Sequence, residues 1–158
     1  MSPVVTRIVT LVAGLLVLVA VNHAIYRKER VIRHGEIVFL ELAPVDPRSL
    51  MQGDYMALRF RLADEIETAR SSGALAERAR RAPLRIDERR IATLGADTGP
   101  EIAFRIRNGS VWLGTNAYFF TEGTAARYVN ARYGEFRLDP GTGEAVLVGL
   151  RGEDLEPL

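Results

Sequence analysis

Three carboxylates stand where a sequence of this kind could do chemistry. Asp54 lies in Gly53-Asp54-Tyr55, Glu122 precedes Gly123 after Phe119-Phe120, and Glu135 lies in Tyr133-Gly134-Glu135-Phe136. Each adjoins a glycine and has aromatic residues close by. Two carboxylates held within several ångströms of each other can divide the roles of general acid and general base. The same residues are also ordinary turn-formers, and a turn is the expected role. Gly53 permits backbone angles closed to other residues, and Asp54 can accept hydrogen bonds from nearby backbone N–H groups. Arg48 is near enough in sequence to pair with Asp54. Tyr55 is then either a surface tyrosine or a contact for another chain, since tyrosine is enriched at interfaces.

What the sequence lacks closes most other mechanisms. There is no cysteine, and the two histidines are His23 and His34. From residue 35 onward there is no histidine and no lysine, because the single lysine is Lys28. A Ser-His-Asp triad, a Ser-Lys dyad, a Schiff-base lysine and a thiolate nucleophile therefore cannot be assembled within that part of the chain. A zinc site would need carboxylates alone, which is uncommon, and no metal is expected. No Walker-type phosphate loop and no G-x-G-x-x-G fingerprint occurs, and no cofactor is expected. Ser49-Leu50-Met51-Gln52-Gly53-Asp54 faintly resembles the serine strand and Gly-Asp of membrane-anchored signal peptidases. Ser49 stands only four residues before Gly53, the proline expected after Ser-Met is missing, and there is no domain lysine. Peptidase chemistry is not expected.

The elements that must position these residues begin with an anchor. Ile8 to Tyr26 is uncharged over 19 residues between Arg7 and Arg27. Roughly 20 apolar residues span a bilayer core, whereas a signal-peptide apolar region runs about 7–15. Cleavage after Ala24 would place Asn22 where a small residue is required, so the segment reads as uncleaved. Residues 1–34 carry five basic groups (Arg7, Arg27, Lys28, Arg30, Arg33) and one acid (Glu29), a balance of +4; residues 35–158 carry sixteen arginines and nineteen acids, a balance of −3. The mildly acidic remainder argues against nucleic-acid binding. The basic collar fits contact with anionic headgroups. Counting Lys and Arg beside the span puts the domain in the cytoplasm. A single N-terminal anchor followed by a whole domain is also the layout of a signal anchor that exports its domain, and export is the expected topology.

Residues 35–158 read as one α+β domain of mainly antiparallel strands with one or two short helices. Glu36 to Pro44 is a nearly continuous apolar run, expected as a buried strand. Tyr55 to Leu62 alternates: Met56, Leu58, Phe60 and Leu62 on one face, Tyr55, Ala57, Arg59 and Arg61 on the other. Asp64 is expected to cap a helix, with Glu67 completing a capping-box-like pair. Ala74 to Ala82 is expected to resume helix until Pro83. Short strands are expected around Leu84–Ile86 and Ile91–Leu94. A hairpin is expected to turn at Asn108-Gly109. Ala117 to Phe120 reads as extended, Thr124 to Arg132 as a short helix stopped by Gly134, and Glu135 to Leu150 as a hairpin turning at Pro140–Gly143. The polar tail from Gly152 is expected to fray.

The stretch Gly53-Asp54-Tyr55-Met56-Ala57-Leu58-Arg59-Phe60 resembles the signature of the GDYXXLXY family of bacterial membrane-anchored proteins. Gly53, Asp54, Tyr55 and Leu58 match, and Phe60 stands in place of the final tyrosine. The resemblance extends from the anchor through Leu40–Leu58 to Tyr118–Gly123 and Ala131–Arg137. It implies an inner-membrane component, a polytopic membrane protein as partner, and no catalytic residues. The binding candidates carried by these motifs are Arg48, Gly53, Asp54, Tyr55, Leu58, Glu122, Tyr133 and Glu135. The expected function is a non-enzymatic accessory domain, anchored in the bilayer through residues 8–26, with its domain on the periplasmic side. The alternatives are a carboxylate-dependent envelope hydrolase, with Asp54, Glu122 and Glu135 in one pocket, and a domain sensing a small ligand.

Overall fold

The structure, a computed structural model, describes residues 2–43, 51–52, 55–95 and 99–158, with residues 51–52 described by their backbone. Arg48, Gly53 and Asp54 lie outside the described residues.

The chain opens with one helix, α1 (Pro3–His34). Its 32 residues make a rod about 48 Å long at 1.5 Å per residue. Ser2 caps it by accepting the Val5 N–H at 3.4 Å, and Pro3 occupies the first turn, where its missing N–H is no loss. The helix is apolar all round over the membrane-length stretch, and that stretch is exposed, as a lipid-facing helix must be. It ends abruptly at Gly35. The Gly35 N–H closes on Val31 O at 2.8 Å, and a Cβ there would meet that oxygen at 2.5 Å.

The central sheet follows. β1 (Glu36–Glu41), β10 (Tyr133–Leu138) and β11 (Ala145–Arg151) pair antiparallel in the order β1-β10-β11. Val38 and Leu40 of β1 are fully buried beside Phe136, Leu138 and Leu150, while Ile37 and Phe39 are half-buried. β1 thus buries one face more deeply than the other, rather than being a run buried throughout. A bulge between Glu135 and Phe136 sets Glu135 opposite Gly149 and Phe136 opposite Leu147, leaving Val148 as the extra residue.

Smaller sheets complete the fold. β2 (Met51–Gln52), β3 (Tyr55–Ala57) and β9 (Ala117–Phe119) form the sheet β2-β3-β9. β4 (Arg81–Ile86), β5 (Ala92–Leu94) and β6 (Glu101–Ala103) form β5-β4-β6. β7 (Arg105–Arg107) and β8 (Ser110–Trp112) form the hairpin expected at Asn108-Gly109, both of which take positive φ. A short helix, α2 (Arg61–Ser71), buries Leu62, Ala63 and Ile66 against the strands. The pairing within the sheets is antiparallel, and the fold is α+β with one long apolar N-terminal helix.

Five local expectations are corrected. The strand begun at Tyr55 stops at Ala57, and α2 starts at Arg61 with Phe60 at its cap and no side-chain cap bond. Asp64 and Glu67 therefore lie inside the helix rather than capping it. Their carboxylates go elsewhere: Asp64 to Arg59, Glu67 to the Val111 N–H. Ala74 to Ala82 forms no second helix; Gly73 adopts φ +77, and Arg81 and Ala82 pair with β6. Pro83 sits within β4, where it donates no backbone hydrogen bond but its carbonyl accepts the Gly95 N–H at 2.9 Å. Only Ala125–Tyr128 is helical in the later segment, as a single 3-10 turn, and Gly134 is inside β10. The C-terminal tail does not fray. Gly152 N–H bonds Glu156 O at 3.0 Å, and Leu158 N–H bonds Leu150 O at 3.2 Å.

Candidate functional site

The signature strand builds a two-faced surface. In the β3–β9 register, Tyr55 faces Phe119 and Met56 faces Tyr118. Period-two alternation sends Met56 and Tyr118 inward and Tyr55 and Phe119 outward. Inside, Tyr118 and Phe120 close on Tyr128 with ring centroids at 5.3 Å each, the first edge-on and the second stacked. Burial, then the hydrogen bond with the Tyr128 hydroxyl, pushes the Tyr118 phenol above its ordinary pKa. Outside, the Tyr55 and Phe119 rings stand 5.8 Å apart, and Phe119 is 75% exposed. β9 is the edge of its sheet, so Phe119 projects from a strand with one side unpaired by that sheet.

Beyond β3 the chain lines a groove of about 190 Å³ between the start of α2 and β8. Leu58 and Phe60 of the signature form part of its wall with Trp112 and Leu113. Its polar groups are Arg59, Asp64, Glu67, Ser110, Thr115 and Asn116. Arg59 Nε donates to Asp64 Oδ1 at 2.9 Å, which raises the guanidinium pKa further. Glu67 Oε1 accepts the Val111 N–H at 2.7 Å. Asp64 and Glu67, three residues apart, share one face of α2.

The remaining candidates are scattered. Leu58 is buried. Glu122 is exposed in the turn where Thr124 N–H bonds Thr121 O. Tyr133 opens β10, opposite Glu41 on one side and Arg151 on the other. Glu135 is 7% exposed and is held by Arg151, whose Nε reaches Glu135 Oε2 at 2.7 Å and whose Nη2 contacts the same oxygen. Arg151 Nη1 also reaches Leu155 O at 3.5 Å. Glu135 is thus a structural anion that ties β10 to the end of β11. The groove contains neither Glu122 nor Glu135, so those two do not share it as an acid–base pair would. Among the described residues, no group of three or more His, Asp or Glu side chains is arranged to hold a metal ion.

Sequence reasoning missed three features. The groove carboxylates looked like helix-capping residues. Phe119 gave a usable signal, because it alternates with Tyr118 and Phe120 across a short strand. The third lies at the base of α1. Arg27 Nη2 meets Glu144 Oε2 at 3.1 Å, and Lys28 Nζ meets Glu144 Oε1 at 2.5 Å. No local pattern couples residues so far apart in the chain.

A family model described as GDYXXLXY protein matches residues 17–150. The match begins within α1 and ends in β11, so it includes β3, the groove and Glu135, and stops one residue short of Arg151. Neither a curated protein nor a solved structure matches the chain.

Proposed function

We propose that this chain, which belongs to the GDYXXLXY family, is a non-enzymatic accessory domain anchored in the bacterial inner membrane by α1, which binds the extramembranous part of a polytopic membrane protein from the periplasmic side. The observation that carries the reading is the outward pair Tyr55–Phe119. A phenylalanine 75% exposed, braced by a tyrosine on an edge strand, is a contact surface rather than a core element. Its tyrosine belongs to the strand that bears the family signature, and its phenylalanine to the strand paired with it. The absence of Glu122 and Glu135 from the groove, and the engagement of Glu135 by Arg151, support a binding role over acid–base catalysis.

The test is a mild-detergent pull-down of the tagged full-length chain, wild type beside Tyr55→Ser/Phe119→Ser. One polytopic protein is expected with the wild type in near-equal amount, and much less with the double variant. A partner retained equally by both removes this surface from the interface. Fusions of a periplasm-active phosphatase to the C-terminus test the topology, with activity expected.

A second reading has its own observation. The groove behind Leu58 combines an Arg–Asp pair, a second carboxylate and an indole wall, which suits a small polar ligand. Ligand-dependent melting shifts in a metabolite screen would support a sensing role.

A further inference from the structure

The junction of α1 with the β10–β11 hairpin fixes where the domain sits relative to a bilayer. α1 is uncharged from Ile8 to Tyr26, and Arg27 is the first charge after that span. The helix continues unbroken to His34, and its last two turns lie against the hairpin. Glu144, at the end of the hairpin turn, takes both Arg27 and Lys28. Eight residues beyond Arg27, Gly35 packs against Arg137 and Leu138 at the end of β10, and Arg137 Nη1 reaches Gly35 O at 3.4 Å. Those eight residues rise about 12 Å along the helix. The hairpin turn therefore points back along α1 from the level of Gly35 toward the end of the apolar span, and the long Arg27 and Lys28 side chains close the remaining distance to Glu144.

We propose that the turn Pro140–Gly141–Thr142 is a foot seated in the phospholipid headgroup layer, and that Glu144 locks it there by clamping Arg27 and Lys28. The inference rests on α1 being a membrane anchor. Pro140, Gly141 and Thr142 are exposed, small and uncharged, so they enter a headgroup layer without burying a charge. The turn is rigid before it meets lipid. Asp139 Oδ1 accepts the N–H groups of Gly141 at 2.9 Å and Thr142 at 3.3 Å, and Asp139 N–H bonds Glu144 O at 2.9 Å. Arg27, Lys28 and Arg30 bring three positive charges, and Asp139 and Glu144 two negative ones. The foot itself thus offsets two of these three charges, and anionic lipid is not required to seat it. Spare donors on Lys28 and Arg27 remain for lipid phosphate. Because two ion pairs and the Gly35 junction hold the hairpin to α1, the domain stands at a fixed height.

The absence of cysteine makes the test direct. Thr142→Cys carries an environment-sensitive fluorophore on the full-length chain, reconstituted in vesicles containing lipid with a headgroup nitroxide. Glu153→Cys is the distal control, because β11 runs about 20 Å away from the turn at 3.3 Å per residue. Quenching of the label at 142 and none at 153 is expected, in purely zwitterionic vesicles as well as in mixed ones. Glu144→Lys, which repels Arg27 and Lys28, is expected to lose the quenching. An unquenched label at 142 in protein that stays with alkaline-washed vesicles overturns the foot and leaves the anchor standing. Quenching only with anionic lipid, or unchanged by Glu144→Lys, overturns the clamp. Protein that washes off the vesicles overturns both the foot and the anchor.

Discussion

The Phe60 ring fills the space of the side chain that Gly134 lacks. A Cβ at position 134 would lie 2.9 Å from Phe60 Cε1 and 3.0 Å from both Leu147 and Phe136. The same Phe60 ring meets Phe136 edge-on at 5.2 Å, and its backbone bridges to Leu42. The last position of the signature is thus the peg that joins the start of α2 to the central sheet, and the glycine of Tyr133-Gly134-Glu135 is its hole. Two motifs 74 positions apart in sequence are one packing contact.

Gly134→Val should therefore destabilise the domain by overpacking, by about 1–3 kcal/mol. Thermal unfolding of the full-length chain in detergent, followed by far-ultraviolet circular dichroism, reads it. A fully stable Gly134→Val would mean that the Phe60 ring has room to move and that the glycine serves something other than packing.

The Glu135–Arg151 pair predicts a larger effect. Arg151→Ala leaves a carboxylate that is 7% exposed without its cation. Breaking such a pair costs on the order of 3 kcal/mol when one partner is removed. The same change frees Leu155 O, so protease sensitivity should rise first after Arg151. Glu135→Gln/Arg151→Met, which removes both charges, should recover much of the loss. If the double change is no better than Arg151→Ala, the charge left behind is not the cause.

Strong local signals were legible in the sequence. Asn108-Gly109 took the left-handed angles its composition demands, and the β10–β11 turn fell between Leu138 and Ala145 as Pro140–Gly143 implied. Tyr55 was placed correctly on the face opposite Met56. The failures share a cause. Met56, Leu58, Phe60 and Leu62 are all buried, so the alternation persists although the backbone changes from strand to helix beneath it. A buried set spaced by two cannot reveal that Phe60 bridges Leu42 and that α2 begins one residue later. Ala74 to Ala82 has helical composition, but pairing with β6 takes its last two residues, and tertiary contact overrides propensity. Of the site, the aromatic alternation was readable, whereas the partners of Glu135, Glu67 and Glu144 were not, because ion pairs and side-chain-to-backbone bonds across the fold leave no periodic trace.

The Glu144 clamp should show a definite pH dependence. The hydrogen bond from Lys28, opposed by burial and aided by the charges of Lys28 and Arg27, holds this carboxyl below the ordinary glutamate value. A depressed folded pKa contributes stability that is complete above the unfolded value, about 4.3, and is lost as pH falls through the folded value. Wild type should therefore melt higher than Glu144→Gln at neutral pH. The gap should begin to close as pH drops below about 4.3 and vanish in stronger acid. A gap that does not change with pH would show that Glu144 acts by packing and not by charge.

Glu67 separates the structural role of the groove from a binding one. Its Oε1 accepts the N–H of Val111, which is buried, and Glu65 Oε2 likewise accepts the Leu94 N–H at 2.9 Å, so α2 is stitched to two strands by side-chain acceptors. Glu67→Ala leaves the Val111 N–H without that acceptor and should cost about 1–3 kcal/mol. Glu67→Gln keeps an oxygen in place while removing the charge, so stability should stay near wild type. A cationic ligand of the groove, found by its effect on melting temperature, should then stabilise wild type and fail to stabilise Glu67→Gln. Equal stabilisation of both would mean that the ligand sits elsewhere, and Glu67 would be left with its backbone bond alone.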